Sequence, residues 1–99
     1  MPQAPVKTLA DPPVAAEHGG QEVLRAFVAN GDLSVSLIRA FDNPEMWGML
    51  LVDVVRHVSR IYATEDRLSE TDVQVKILAM MSAELLDPTD LGTTTALNN

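Results

Sequence analysis

The side chains in this sequence best suited to chemistry are Asp53 and His57, which stand four residues apart. In a helix this spacing places the two side chains on one face, one turn apart. A carboxylate that orients an imidazole supplies two of the three members of a catalytic triad, the general base and the group that orients it. Arg60 follows within the next turn. One function compatible with the sequence is therefore a small-molecule binding or hydrolytic protein that uses Asp53, His57 and Arg60 in a cleft.

The same spacing also has a purely structural explanation. A triad needs a nucleophile, and no pattern distinguishes Ser59, Ser34 or Ser36 for that role. His57 falls at the border between the apolar stripe and the polar face of its predicted helix, where contact with Asp53 follows from helical spacing alone. We therefore expect no catalytic residue, and Asp53 and His57 are the candidates to test.

The sequence predicts neither a metal site nor a cofactor site. Asp53 and His57 offer two ligands where a metal site needs three or four, and His18 lies in a predicted arm. The chain contains no cysteine, which excludes disulfides, thiol catalysis and thiolate metal ligands. Gly19-Gly20 precedes a predicted strand, whereas phosphate-binding loops follow a strand and open a helix.

The charge balance argues against nucleic acid and membrane partners. Seven basic and fourteen acidic residues leave a net charge of −7, and the basic residues are dispersed among the acidic ones. Phosphate binding depends on clustered cations, and an anionic membrane surface is disfavoured for the same reason. The longest apolar run, Met46 to Val52, is too short to span a bilayer. We expect a cytoplasmic protein.

Two β-rich runs joined at Asn30-Gly31 predict a β-hairpin. Asn and Gly tolerate the positive φ angles of a type I′ turn. With Ala29 opposite Asp32, one face of the hairpin is wholly apolar, and a slip of one residue would set Val28 against Ser34 and mix the two faces. The predicted apolar face consists of Leu24, Ala26, Val28, Leu33, Val35 and Leu37.

A first helix is predicted from the start signal at Asn43-Pro44 to about Ala63. Helical periodicity places Ser59 on its polar side, and Gly48 at the edge of its apolar stripe indicates a closely packed neighbour. The predicted core stripe contains Trp47, Leu50, Leu51, Val54, Val55, Val58, Ile61 and Tyr62.

A second helix is predicted from a Ser69 cap to about Leu86, before Asp87-Pro88. Its sequence is apolar on two sides, which indicates two packing partners. The predicted core stripe contains Val73, Ile77, Leu78, Met80, Met81 and Leu85, and the second stripe, predicted to form a homodimer interface, contains Val75, Ala79, Ser82, Ala83 and Leu86. Alternatively, two hairpins would join at their edges into a four-stranded sheet, because a lone hairpin leaves both edges unpaired.

These elements predict a two-layer α+β fold, a β-hairpin followed by two antiparallel helices (ββαα). We assign residues 21–87 to a single domain, residues 1–20 to a mobile N-terminal arm and residues 88–99 to a flexible C-terminal tail, in which 91–97 is a weak edge-strand candidate. A core this small, without disulfide or metal, favours self-association as the remaining source of stability.

Several short segments resemble a family of small bacterial proteins called domain of unknown function 5076. These segments are Glu22-Val23-Leu24-Arg25, the run from Pro44 to Asp53, and Arg56-His57-Val58. The resemblance covers about residues 21–86. It implies a bacterial, cytoplasmic protein and transfers no functional residue, because the family has no assigned activity.

The sequence as a whole predicts a small, acidic, non-enzymatic protein-interaction module that forms a homodimer. The small-molecule or hydrolytic protein described above is the alternative. No feature of the sequence identifies a partner other than a second copy of the chain.

Overall fold

The computed structural model describes residues 4–94, and the chain divides into two compact units between Arg39 and Ala40. The first unit contains a short helix and two strands, and the second contains two long helices. In chain order the elements are α1 (Pro13–His18), β1 (Leu24–Ala29), β2 (Asp32–Leu37), α2 (Glu45–Asp66) and α3 (Glu70–Leu86). The predicted fold class is confirmed, because a β-hairpin is followed by two helices in an α+β arrangement.

Helix α1 lies in the segment that the sequence predicted to be an arm without regular structure. Pro13 occupies its first position, where a fixed φ favours helix and the missing N–H has no partner to lose. The helix ends at Gly19, whose φ is 77° and whose N–H donates to the Ala15 carbonyl at 2.8 Å. Residues 91–94 form no strand, and the rest of the predicted edge strand, residues 95–97, lies outside the described residues.

The register of the hairpin is the predicted one. Ala29 pairs with Asp32, and the pairing continues in step to Leu24 opposite Leu37. The turn residues Asn30 and Gly31 have φ angles of 53° and 79°, the left-handed values that the predicted turn requires. The six apolar residues predicted to share one face therefore do so, and every residue of β2 is exposed.

Helices α2 and α3 begin where their sequence signals predicted. The Asn43 side chain accepts a hydrogen bond from the Glu45 N–H at 3.0 Å, and Ser69 Oγ accepts one from the Asp72 N–H at 3.3 Å. Helix α2 continues past the predicted end near Ala63 and stops before Arg67, whose φ is 56°. No helix within residues 4–94 combines the length and apolar character needed to cross a membrane.

The buried centre of the helical unit is very small. Among residues 4–94, three side chains are buried: Val55 and Ser59 on α2, and Val73 on α3. Ser59 is 0% exposed, which corrects its predicted place on the polar side of the helix. Its hydroxyl donates to the Val55 carbonyl at 2.7 Å, so burial leaves no unpaired polar atom on this side chain. A short side chain here also allows the two helices to approach closely.

Half of the core stripe predicted for α2 and most of the one predicted for α3 remain exposed. On α2 the exposed members include Leu51, Val54, Ile61 and Tyr62, and on α3 they include Leu78, Met80, Met81 and Leu85. The physical reason is that α2 and α3 pack only on each other within this unit, and one helix neighbour covers a strip narrower than the apolar stripe. The periodic pattern predicted which residues of each helix are apolar. It did not predict which of these residues the neighbouring helix covers.

The prediction that a neighbour packs closely against Gly48 is wrong. A Cβ atom built on Gly48 meets no atom within 4 Å. Gly48 lies inside α2, where glycine costs about 1 kcal/mol relative to alanine because its backbone loses more conformational freedom. No close contact within the described chain compensates for this cost.

We expect Gly48→Ala to raise the free energy of unfolding by roughly 0.5–1 kcal/mol, since the added methyl group meets open space and restricts the unfolded chain. Urea unfolding followed by circular dichroism measures the change. A loss of stability would show that another segment or chain packs against this position.

We expect Ser59→Leu to lower the free energy of unfolding by roughly 1–3 kcal/mol, because the larger side chain must separate α2 from α3. Ser59→Ala is the matched control and should change it by no more than about 1 kcal/mol, since one hydrogen bond is lost without overpacking. Equal effects of the two substitutions in urea unfolding would contradict the close packing of the helices at Ser59.

Candidate functional site

The helical hairpin positions the residues that were predicted to do chemistry. Arg60 on α2 and Glu70 on α3 form an ion pair across the two helices, with Nε and Oε1 3.5 Å apart. Both side chains are about half exposed, so solvent screens the pair and it adds less than about 1 kcal/mol to stability. Arg60 is therefore engaged with Glu70 at the end of the hairpin where the helices are connected.

Asp53 and His57 occupy successive turns of α2, as their spacing predicted, and both are exposed. Within the described residues no hydrogen bond or ion pair joins them to each other or to Arg60. The structure thus places the three residues of the proposed cleft on one helix without bringing their polar groups together. Asp53 and His57 stay catalytic candidates on spacing alone, and the absence of a catalytic residue stays a prediction.

The serines offer no better nucleophile. Ser59 is fully buried and its hydroxyl is bonded to the Val55 carbonyl, so a substrate cannot reach it. Ser34 and Ser36 lie on β2 in the other unit of the chain and are exposed. Across residues 4–94, no group of three or more His, Asp or Glu side chains is arranged to hold a metal ion.

The predicted interface residues of α3 form a surface that is open to solvent. We call the side of α3 that contains Val75, Ala79, Ser82, Ala83 and Leu86 the outer face of α3. Every one of these residues is exposed, with Val75 at 59% and Leu86 at 86%. None of them is charged. The outer face is therefore a continuous apolar and small-residue strip along the helix.

The apolar surface of α3 is more extensive than the sequence predicted. Leu85, which was assigned to the core stripe, is 82% exposed, and Leu78 and Met80 are also exposed. The available signal was the apolar composition of α3 on two sides, which no single helical neighbour can cover. The structure adds exposed leucines and a methionine on both flanks of the outer face.

The first unit contains a groove that the sequence did not predict. The groove, of about 460 Å³, lies between residues 7–12 and residues 22–27, the latter spanning most of β1. The Arg25 guanidinium lies 5.0 Å from the centre of the Phe27 ring, and its Nε lies 3.3 Å from Glu22 Oε1. Arg25 is thus held by Phe27 in its own strand and by Glu22 just before the strand, and residues 7–12 line the other side of the groove.

A solved structure resembles this chain over nearly its full length. It is described as "Structure of a putative pyruvate dehydrogenase from the photosynthetic bacterium Rhodopseudomonas palustrus CGA009". The two chains are 44% identical, with a TM-score of 0.74, and the match covers 96% of this chain and 98% of the other. No functionally curated protein matches this chain.

Residues 8–89 match the family described as Domain of unknown function (DUF5076), a span that contains every element from α1 to α3 and the outer face of α3. The match begins before α1 and so includes much of the segment predicted to be an arm. Because most of the chain is matched, this protein belongs to the family Domain of unknown function (DUF5076), as the sequence resemblance implied.

Proposed function

We propose that this protein is a non-enzymatic protein-interaction module that associates with a second copy of itself through the outer face of α3. One observation supports the proposal above all others: α3 is apolar on two sides, and α2 covers only the side around Val73. Fully burying one valine or leucine side chain is worth about 1.5–3 kcal/mol. A helix that leaves several such side chains in water gains stability when another protein covers them.

The order of residues on the outer face fits an antiparallel pair of α3 helices. With a two-fold axis between positions 80 and 81, Val75 of one copy lies opposite Leu86 of the other, and Ala79 lies opposite Ser82. Large side chains then meet at both ends and small ones meet near the axis, where the helices come closest. Such self-complementarity is what a two-fold symmetric interface requires.

Electrostatics limit how the copies meet. Each chain has a net charge of −7, so two copies repel one another at low ionic strength. The five residues of the outer face are uncharged, so association there buries no like-charged pair. We expect association to strengthen with added salt, since salt screens the long-range repulsion and leaves apolar contacts in place.

An enzymatic function has less support from the described residues. A dehydrogenase, such as the one in the name of the solved relative, or a hydrolase would need polar groups gathered around a substrate. Asp53, His57 and Arg60 are each exposed, and within residues 4–94 the one ion pair that involves any of them joins Arg60 to Glu70. We therefore place the function in the apolar surface of α3 and not in these three side chains.

We expect light scattering at micromolar to hundred-micromolar concentration to give a mass of at least twice 10.7 kDa, and Ala79→Arg to lower that mass. The arginine would place a charge in the apolar contact between the helices, and the cost of burying that charge weakens association. Its positive charge also reduces the repulsion between the acidic chains, so a lower mass cannot come from added repulsion. Thr64→Arg, an exposed change of the same charge on α2, is the matched control and should leave the mass unchanged. A wild-type chain that stays monomeric throughout would refute the proposal.

We expect His57→Gln to change the free energy of unfolding by less than about 1 kcal/mol, as is usual for an exposed polar side chain. It should also leave the mass measured by light scattering unchanged. Urea unfolding and light scattering of the variant test both statements. A loss of more than about 2 kcal/mol would show that His57 has contacts of the kind expected in a structured site.

A further inference from the structure

The outer edge of β2 presents a row of unpaired backbone groups. The Ile38 N–H donates to the Val23 carbonyl at 3.2 Å, so this pair is hydrogen-bonded across the hairpin. Antiparallel ladders alternate between bonded and non-bonded pairs, so the peptide groups of Ser36 and Ser34 also point towards β1. Those of Leu33, Val35 and Leu37 point away from it. The sheet has two strands, and no backbone hydrogen bond within residues 4–94 reaches these outward groups.

This edge has none of the usual features that prevent strand pairing. Natural edge strands are protected by lysines, prolines, bulges or inward-pointing charges. From Leu33 to Ile38 the sequence contains no proline and no charged residue, and the pairing with β1 has no bulge. The sequence of β1 differs, because that strand contains the charged residue Arg25.

We propose that the outer edge of β2 pairs with β2 of a second copy, antiparallel and about a two-fold axis through Val35, to form a four-stranded sheet. Val35 then faces Val35 of the second copy, and Leu33 faces Leu37. Each of these facing pairs exchanges two backbone hydrogen bonds, because all three residues have outward-pointing peptide groups. The interface therefore satisfies every outward-pointing group from Leu33 to Leu37.

The same register also keeps the two faces of the sheet separate. A two-fold axis perpendicular to the sheet leaves the apolar faces of both hairpins on one side. On the opposite side, Ser34 lies across from Ser36 of the second copy. A shift of one residue would set Val35 against Ser34, so that outward-pointing backbone groups of one strand face inward-pointing ones of the other. A shift of two residues would leave some outward-pointing groups without a hydrogen-bond partner.

Charge does not oppose this pairing. The one ionisable side chain of β2 is Asp32, which in this register lies opposite Ile38 of the second copy. The two Asp32 residues are then six positions apart along the strand, which at about 3.3 Å per residue is roughly 20 Å. That separation is more than twice the Debye length of about 8 Å at physiological ionic strength. A strongly acidic protein can therefore pair at this edge without bringing like charges together.

Pairing at this edge adds strands to a sheet that has two of its own in residues 4–94. Two strands alone are marginally stable in water, and three or more strands with an apolar face, or packing against a helix, give independent stability. Pairing of two copies doubles the number of strands and joins two apolar faces into one. This inference does not rest on the outer face of α3, which lies in the other unit of the chain.

The absence of cysteine from the chain allows a direct test by single-cysteine variants of the full-length protein. In the proposed register the Cα atoms of the two Val35 residues are about 5.5 Å apart, a distance that a disulfide spans. We expect Val35→Cys, treated with oxidised glutathione, to form a disulfide-linked dimer, visible on a non-reducing gel. Glutathione is the oxidant, and each linked pair releases two equivalents of reduced glutathione.

The matched control is Val28→Cys on the same apolar face of β1, which is more exposed than Val35. Random collision would link this variant at least as fast as Val35→Cys. Pairing at β2 instead makes the Val35→Cys reaction effectively intramolecular, because tethered groups have effective concentrations near millimolar. At micromolar protein we therefore expect Val35→Cys to link about tenfold faster, or more, than Val28→Cys. Equal rates for the two variants would overturn the proposal.

A mixed experiment tests the register. Ser34→Cys chains mixed with Ser36→Cys chains should form mixed disulfides in preference to self-linked ones, because these two positions face each other across the axis. Preferential self-linking of either variant would overturn the register.

A final comparison separates this inference from the α3 interface. Val35→Cys that still links in the Ala79→Arg background supports pairing at the β2 edge whether or not α3 forms an interface. Protection of the Leu33, Val35 and Leu37 amides from hydrogen exchange without Val35→Cys linkage would show that another segment covers the edge, and would overturn the proposal. A wild-type mass of twice 10.7 kDa without linkage would overturn it as well, while leaving the proposed function intact.

Discussion

The narrow contact between α2 and α3 at Ser59 is the constraint on which the helical unit depends. Each helix has apolar side chains on more than one side, but the other helix covers one strip of it. The short Ser59 side chain and its hydrogen bond to Val55 let that strip close tightly without an unsatisfied polar group. The small size of this contact is the reason that so much of α3 faces solvent.

The sequence predicted the local structure accurately because its signals are local. Asn30-Gly31 determines the turn, and strict alternation on both sides of it permits only one register. Asn43 and Ser69 mark the starts of the helices through hydrogen bonds to nearby backbone groups. Each of these features requires information from only a few neighbouring residues, so one sequence is enough to find them.

The sequence could not predict which side of each helix is covered. Helical periodicity assigned Ser59 to the polar side, but α3 covers Ser59 together with Val55 at the border of the apolar stripe and leaves much of that stripe in water. Gly48 was expected to have a close neighbour and has none. For the candidate site, spacing placed Asp53 and His57 on successive turns but could not show that their polar groups remain apart. These outcomes depend on packing, which a periodic pattern does not encode.

Both long pairings in this chain, β1 with β2 and α2 with α3, join elements that are neighbours in sequence across short connections. Proteins dominated by such local contacts fold fast, since little chain entropy is lost in closing each loop. Hairpins form in about 1–10 μs and helices faster still. Each pairing can therefore form as soon as its own segment leaves the ribosome, and association of copies follows as a separate step whose rate depends on protein concentration.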